Sequence, residues 1–414
     1  MTRRGSVEFL GKLLAALVAS RCASEVLNTY VSPNANYFWA GGALAAICLL
    51  AAPSLLHLAQ GEGNLLREYW PVWAYFAVLT IRLQFSASYS AKCLFSEVIA
   101  WSCFVLAVET CTRAEDVAAR LRRLVIAMVK CMVVLGVGQL LLYVAASGDL
   151  HPVHVLQARP VRGFFMHPNL FQVTILPFLF YFLKQRCWTW FALTAAACFG
   201  TGSRAPFFAA ACLAIPVWQS LRRQPIGWGH LAATAALVVA AYAALIPWNA
   251  PPPDYDQESR LDLGTLQWRS SFWRELAARN SGLQWLVGRG VGTADGVFNE
   301  LHDLPLLPHN DYLRLFYDLG AVGLLVYLNL LAFGLRLIMR ATTTENDFVL
   351  LAYLLIVCFC ITDNFIYFTM PMLVYVFIGS HSGRPAAAGA AAGRAARALG
   401  RTPSSCPSLA GGEA

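Results

Sequence analysis

The sequence has little charge for its length. Of its 414 residues, 13% are Asp, Glu, Lys or Arg, whereas soluble globular domains carry about 25%. Hydrophobic residues make up 58% of the chain. They fall in blocks of roughly 15–25 residues, the length needed to cross the hydrocarbon core of a bilayer. The shortage of charge argues against an ordinary soluble domain, and the blocks predict an all-α polytopic integral membrane protein.

Several chemical signatures are also missing. The polar segment 248–310 contains no cysteine, although the chain has twelve, so no disulfide framework is expected there. The chain has no P-loop, no Gly-x-Ser-x-Gly elbow and no His-Glu-x-x-His metal motif. The net charge of +8 does not indicate nucleic acid as a partner, since no basic face with interleaved aromatic residues is present.

About twelve apolar blocks predict transmembrane helices in contact with the lipid bilayer. They cover residues 8–20, 38–58, 69–85, 93–110, 124–146, 164–183, 188–203, 205–220, 228–247, 312–338, 348–362 and 365–380. The blocks at 8–20, 188–203 and 348–362 are short, which leaves tilted, re-entrant or interfacial arrangements open for them.

Basic residues in the short connections set the predicted orientation, because cytoplasmic loops carry an excess of Lys and Arg. Alternate connections are rich in these residues: Arg67, Arg113, Arg120, Arg122, Arg123, Lys184, Arg186, Arg222, Arg223, Arg336 and Arg340. The pattern predicts a multi-pass protein of the bacterial cell inner membrane with both termini in the cytoplasm. It places segments 147–163, 201–204 and 248–310 on the periplasmic side.

This topology divides the chain into four predicted parts. Residues 1–247 form an N-terminal transmembrane bundle of about nine spans, and 248–311 form a large periplasmic loop. Residues 312–380 form the C-terminal spans, and 381–414 form a disordered cytoplasmic tail rich in Ala, Gly and Arg. Within the loop, residues 266–279 predict an amphipathic helix that ends at Asn280, with aromatic residues suited to the membrane interface.

Two arginines stand on the predicted outer side, against the charge rule. Arg204 lies between two apolar blocks with almost no loop to hold it in water. It either binds an anionic partner or ligand, or anchors the helix end by reaching to the interface. Arg269 shares a helix face with Trp273, four residues later. It is either a ligand-binding group or a solvated helix charge.

A histidine begins the tenth predicted span. His309 is followed by Gly320 eleven residues later and then by Gly323. In a regular helix, eleven residues are close to three turns, which would put Gly320 on the face below His309. Two glycines three residues apart also favour close approach of another helix. His309 is therefore either a functional group at the water boundary or an interfacial histidine bonded to loop backbone.

Two further ionisable residues, Glu97 and Lys130, lie inside predicted spans. Charged side chains in such positions are costly and usually functional. The sequence gives no partner for either.

In combination, these segments resemble the O-antigen ligase and polymerase superfamily of bacterial membrane glycosyltransferases. The resemblance is clearest over residues 155–325 and rests on four motifs in order. They are Gly163-Phe164-Phe165-Met166-His167-Pro168-Asn169; Ser203-Arg204; Arg269 and Trp273 followed by Gly288-Arg289-Gly290-Val291-Gly292; and His309-Asn310, nine residues, Gly320 and Gly323.

The resemblance implies a GT-C-like fold and transfer of a glycan from undecaprenyl diphosphate to an acceptor hydroxyl at the periplasmic face. The acceptor is a glycan or lipid A-core. It implies His309, Arg204 and Arg269 as catalytic residues, with Arg159, Arg162, Arg289 and Asn310 as further substrate-binding residues. It also implies that no metal or other cofactor is needed, because arginines hold the diphosphate.

Several alternatives stay open from the sequence. The enzyme could be a ligase of lipopolysaccharide, a polymerase of surface polysaccharide or an enzyme of exopolysaccharide synthesis. A polysaccharide or lipid transporter (flippase) and a non-catalytic membrane scaffold are the rival classes, although no internal repeat typical of transporters is evident. His309 could act as a general base or only orient the hydroxyl.

Overall fold

The computed structural model describes most of the chain. The residues it describes are 3–32, 35–52, 54, 65–83, 90–148, 151, 154–155, 158–163, 165, 168–203, 210–245, 273–294, 296–297, 310–342, 346–362 and 371–381. The elements assigned within these residues are helical, apart from one isolated β-bridge between Leu83 and Val291. This confirms the predicted all-α class.

Twelve helices of eight or more residues are present in the described part. They are α1 (Arg3–Tyr30), α2 (Ala35–Ala46), α3 (Trp70–Ile81), α4 (Ser90–Arg113), α5 (Glu115–Ser147), α6 (Pro168–Lys184), α7 (Trp188–Gly200), α8 (Ala214–Leu221), α9 (Trp228–Leu245), α10 (Asp311–Ala341), α11 (Phe348–Thr362) and α12 (Pro371–His381). A π-helical turn, Ile47–Ala51, extends α2, and one-turn helices occur at Leu65–Glu68 and Gln284–Val287. Each predicted span overlaps one of the twelve helices.

Three of the helical segments in the described residues are long and apolar enough to cross a membrane: Leu94–Arg113, Glu115–Ser147 and Asp311–Ala341. Several other helices are apolar but shorter, such as Trp70–Ile81 and Phe348–Ile361. Length and composition thus indicate a membrane protein. The number of crossings, the periplasmic loop and the four-part division remain predictions.

The longest helix, α5, has clear signals at both ends. Glu115 and Asp116 occupy its first turn, where acidic side chains favour the positive end of the helix dipole. It ends where Gly148 adopts a left-handed conformation and donates its N–H to the carbonyl of Val144. Several apolar side chains on its outer face are exposed, among them Leu141 and Leu142, as expected for a helix that faces lipid.

The helix ends with basic residues lie together at one end of the bundle. Lys184 Nζ lies 3.0 Å from Asp347 Oδ2 and 3.1 Å from the carbonyl oxygen of Ser220, which joins the ends of α6 and α8 to the residue before α11. Arg122 donates to the carbonyl of Ser380 at 2.9 Å, which joins α5 to α12. These ends were all predicted to share the cytoplasmic side, so their clustering agrees with the charge count.

Helices α3 and α4 connect this basic end to the opposite end. Near the basic end, Tyr69 precedes α3 and donates to Glu109 of α4 at 2.6 Å, while Arg113 donates to the same carboxylate at 2.8 Å. The two helices are antiparallel, since the start of α3 meets the end of α4. The end of α3 and the start of α4 therefore lie at the opposite end, which the charge distribution predicts to face away from the cytoplasm.

Candidate functional site

The three residues predicted to be catalytic, Arg204, Arg269 and His309, lie outside the described residues. The structure does describe Ser203, which precedes Arg204, and Asn310, which follows His309. Ser203 is buried. The site can therefore be built from the elements that hold these positions.

Asn310 starts helix α10. It has an extended backbone, and its side-chain oxygen accepts the N–H of Leu313 at 2.9 Å, the bond made by an N-cap residue. Asn310 was predicted to bind substrate through resemblance. In the structure its carboxamide oxygen is used to cap the helix, and its assignment as a ligand remains a prediction.

Gly320 breaks helix α10, although the sequence pattern assumed a regular helix through this position. Its φ is 69° and its ψ is −172°, a combination that is essentially restricted to glycine. A Cβ at Gly320 would lie 2.3 Å from the carbonyl carbon of Leu286 and 2.5 Å from the backbone nitrogen of Gly288. The close approach expected from the Gly320–Gly323 pair is made at Gly320 by the one-turn helix Gln284–Val287 and the glycine that follows it. At Gly323 the nearest side chain is Leu319 of the same helix.

Gly288 makes the matching contact from the loop. Its φ and ψ are also 69° and −172°, and a Cβ there would lie 2.3 Å from the carbonyl oxygen of Asp318. The kink frees carbonyls that would otherwise accept bonds within the helix. Tyr317 O accepts the N–H of Arg289 at 3.1 Å, and Asp318 O accepts the N–H of Gly290 at 2.7 Å. Two glycine motifs separated in sequence therefore interlock backbone to backbone.

Asp318 fastens the rest of the glycine-rich loop to α10. Its carboxylate accepts the N–H of Gly292 at 2.8 Å, the N–H of Ala294 at 2.9 Å and the hydroxyl of Thr293 at 3.0 Å. The carboxylate is buried. Three donors converging on one carboxylate stabilise both its charge and the loop conformation.

Arg82, at the end of α3, holds the same loop from the other side. Its Nη2 donates to the carbonyl of Gly288 at 2.7 Å, and its own carbonyl accepts the N–H of Val291 at 2.8 Å. The loop is thus clamped between α3 and α10. Arg82 was not singled out from the sequence, although its place at a predicted outer helix end is the same signal that selected Arg204.

Arg289 is engaged within the protein. Its Nε donates to Asn280 Oδ1 at 3.2 Å, and Nη2 contacts the carbonyl of Arg279. The guanidinium carbon also lies 5.5 Å from the ring centroid of Tyr317, within the range of a cation–π contact. These contacts connect the loop to the helix at 273–279, and the assignment of Arg289 to substrate remains a prediction.

The helix at 273–279 is the described part of the predicted amphipathic helix, and it ends at the predicted residue, Asn280. Trp273 is buried and packs with Leu276 and Tyr317 in a small apolar cluster. Trp285 is 40% exposed. An interfacial role therefore suits Trp285, whereas Trp273 anchors the helix to α10.

A second group of motif residues surrounds Gln139 of α5. Its side-chain oxygen accepts the N–H groups of Arg162 at 2.9 Å and Gly163 at 2.8 Å, and its Nε2 donates to the carbonyl of Gly163 at 2.6 Å. Val161 donates its N–H to the carbonyl of Gly200 at 3.1 Å. The segment before α6 is therefore fixed to α5 and to the end of α7, four residues before Arg204.

Two arginines of this segment, which the resemblance implies as substrate-binding residues, differ in exposure. Arg162 is exposed, whereas Arg159 is half-buried and has a φ of 47°. The Arg159 N–H donates to the carbonyl of Val155 at 3.1 Å. Arg162 is thus accessible for an anionic ligand, but no contact in the structure tests either arginine as a substrate residue.

Four buried ionisable residues lie below the Asn310 cap. Asp311, Arg314 and Asp318 follow one another on one face of α10, and Glu97 of α4 faces them. Arg314 Nη2 lies 3.8 Å from Asp311 Oδ1. Glu97, Arg314 and Asp318 line a small cavity, together with Tyr75 and apolar residues from α3, α10 and the glycine-rich loop.

This buried cluster gives Glu97 the partners that the sequence did not reveal. The sequence analysis did not single out the other three residues of the cluster, although their spacing indicates that they share one helix face. Asp311, Arg314 and Asp318 repeat at intervals of three and four residues in an apolar segment, which places three charges on one helix face inside a predicted span. Lys130, the other ionisable residue in a span, lies 4.7 Å from the ring centroid of Trp190.

Comparison with known proteins adds no assignment. No protein-family model matches the chain, and no curated protein matches it.

Proposed function

We propose that this protein is an O-antigen ligase-like glycosyltransferase of the bacterial inner membrane, with both termini in the cytoplasm. It transfers a glycan from undecaprenyl diphosphate to an acceptor hydroxyl at the periplasmic face. The observation that carries the proposal is the interlock of Gly288 with the kink at Gly320. Two motifs of the resemblance meet there, within the helix whose N-cap, Asn310, directly follows His309.

The proposed chemistry uses charge that is already in place. Undecaprenyl diphosphate leaves as an acceptor oxygen attacks the anomeric carbon, so negative charge builds on the leaving phosphate. The planar guanidinium groups of Arg204 and Arg269 can bind phosphate oxygens in pairs and remain charged at all working pH values. One such preorganised donor contributes about 3 kcal/mol to the lowering of the barrier.

His309 is the proposed acceptor of the proton from the attacking hydroxyl. An imidazole titrates near neutral pH and is therefore suited to take up a proton during the reaction. Asn310 caps α10 directly after it, so the backbone that follows the histidine is held by the helix. The interlocked loop then supports that helix at the kink.

The test is transfer of a lipid-linked glycan in membranes that contain equal amounts of each variant. We expect His309→Ala, Arg204→Ala and Arg269→Ala each to abolish transfer while the protein remains inserted. Arg204→Lys should also lose most activity, because an ammonium cannot form the paired phosphate contacts of a guanidinium. Arg120→Ala is the matched control, since Arg120 is exposed at the basic end of the bundle and should not affect transfer.

A second substitution distinguishes the roles of His309. If the histidine only provides a hydrogen bond, His309→Gln should retain appreciable activity. If it is the general base, transfer should fall by about 10²–10⁴-fold. Full activity of His309→Ala would refute the mechanism, and lipid translocation by the wild type without formation of a glycosidic bond would favour a flippase instead.

A further inference from the structure

Glu97 differs from the other buried glutamates in the described part of the chain. It is 5% exposed, and its Oε2 has no hydrogen-bond partner among the described residues. The other buried glutamates are ion-paired at short distance. Glu25 lies 2.7 Å from Arg21 Nη2, and Glu109 lies 2.8 Å from Arg113 Nη2. Glu97 has the neutral neighbours Tyr75 and Trp101, but no ion pair as short as these among the described residues.

The charges around Glu97 do not balance if all groups are ionised. Among the described residues, its cluster contains three carboxylates and one guanidinium, that of Arg314. Asp318 is stabilised as an anion by the three donors from Gly292, Thr293 and Ala294. Asp311 lies in the first turn of α10, where the helix dipole favours a negative charge, and its Oδ1 is 3.8 Å from Arg314 Nη2. Glu97 is the carboxyl left over.

We propose that the cavity below the Asn310 cap is a proton-binding site and that Glu97 carries the proton. A buried carboxyl takes up a proton when the hydration that its charged form loses is not replaced by a close ion pair. A proton needs only one oxygen, and Glu97 Oε2 has no hydrogen-bond partner among the described residues. The rest of the cavity wall contains Leu79, Val291, Leu315 and Leu319, which offer no side-chain ligands to a larger cation.

The described groups around Glu97 come from five helices. Tyr75 faces it from α3 and Trp101 from its own helix, while Asp311, Arg314 and Tyr327 face it from α10. Cys360 faces it from α11 and Tyr375 from α12. Arg314 is the one cation in this set, and Asp311 competes for it. Loss of the proton would therefore place a second negative charge beside Asp311 and destabilise the folded protein.

The expected pH dependence follows from proton binding. Above the range in which an exposed carboxyl titrates, the folded protein binds one more proton than the unfolded chain. Stability must then fall as pH rises. Between the pH at which an exposed carboxyl titrates and the pH at which Glu97 loses its proton, the folding equilibrium constant of the wild type should decrease by up to about tenfold per pH unit. This inference does not depend on the proposed glycosyltransferase activity.

The experiment compares two matched substitutions on helix α4 in the full-length protein reconstituted in lipid nanodiscs. Glu97→Gln replaces the proposed neutral acid by a neutral group of the same shape, whereas Glu109→Gln breaks an ion pair. Thermal unfolding is followed from pH 6 to pH 9, in potassium chloride and in sodium chloride. We expect Glu97→Gln to unfold at or above the wild-type temperature and to lose the pH dependence. Glu109→Gln should unfold earlier and keep the wild-type dependence.

Infrared spectroscopy of the wild type gives a second readout. A protonated carboxylic acid has a carbonyl stretch that a carboxylate lacks. We expect this band at neutral pH in the wild type and in Glu109→Gln, and its loss in Glu97→Gln. Absence of this band from the wild type at neutral pH would overturn the proposal, and that result does not require the Gln variant to fold.

Two further outcomes would also overturn it. Destabilisation of Glu97→Gln with an unchanged pH dependence would mean that Glu97 is an ionised partner of Arg314. Stabilisation of the wild type by sodium over potassium, lost in Glu97→Gln, would mean that the cavity holds a sodium ion instead of a proton.

Discussion

Replacing Gly320 by alanine should separate the glycine-rich loop from helix α10. The new Cβ would lie 2.3 Å from the carbonyl carbon and oxygen of Leu286 and 2.5 Å from the nitrogen of Gly288. All three atoms belong to the backbone, so no side-chain rotation can relieve the contact. The loop would have to move away or the helix would have to straighten at the kink.

The magnitude can be estimated from the contacts. A non-glycine residue at a φ of 69° and ψ of −172° stores about 1–3 kcal/mol of backbone strain. Displacement of the loop also breaks the bonds from Arg289 N to Tyr317 O and from Gly290 N to Asp318 O, each worth about 1 kcal/mol. The sum, about 3–5 kcal/mol, is a large part of a typical folding free energy of about 5–15 kcal/mol.

The assay is thermal unfolding of the purified protein, with Gly138→Ala as the control. Gly138 lies inside helix α5, and a Cβ there would meet nothing within 4 Å. Its replacement should be neutral or stabilise the protein by up to about 1 kcal/mol. Gly320→Ala should lower Tm on the order of 3–6 °C. Equal Tm values for the two variants would refute the interlock as a source of stability.

Two further predictions concern the same region and the topology. Asp318→Asn should lower Tm, because an amide has one oxygen and cannot accept from Gly292, Thr293 and Ala294 as the carboxylate does. Each hydrogen bond to a charged acceptor contributes about 1.5–3 kcal/mol. An unchanged Tm would show that these bonds do not stabilise the fold. Reporter fusions after residues 222, 340 and 385 should read cytoplasmic and fusions within 255–300 periplasmic. A cytoplasmic reading within 255–300 would contradict both the charge count and the proposed function.

The sequence determined which segments are helical. Length and hydropathy are local properties of the chain, and each predicted apolar block overlaps one of the helices of eight or more residues in the described part. The end of the helix at 273–279 was likewise predicted from Asn280-Ser281-Gly282, because turn residues act on the backbone next to them. The clustering of basic helix ends followed from loop charge, which also needs no knowledge of the packing.

The tertiary structure decided how distant segments are used. Arg82 bonds to Gly288 across 206 positions of sequence, and no local pattern specifies such a pairing. Gly320 was recognised as a site of close approach, but only packing shows that it breaks the helix and receives a loop. Glu97 was visible in the sequence as an ionisable residue in an apolar span. The excess of carboxylates that it forms with Asp311, Arg314 and Asp318 depends on which helices meet. Hydropathy fixes that a segment is buried, and the fit of neighbouring backbones and charges fixes its partners.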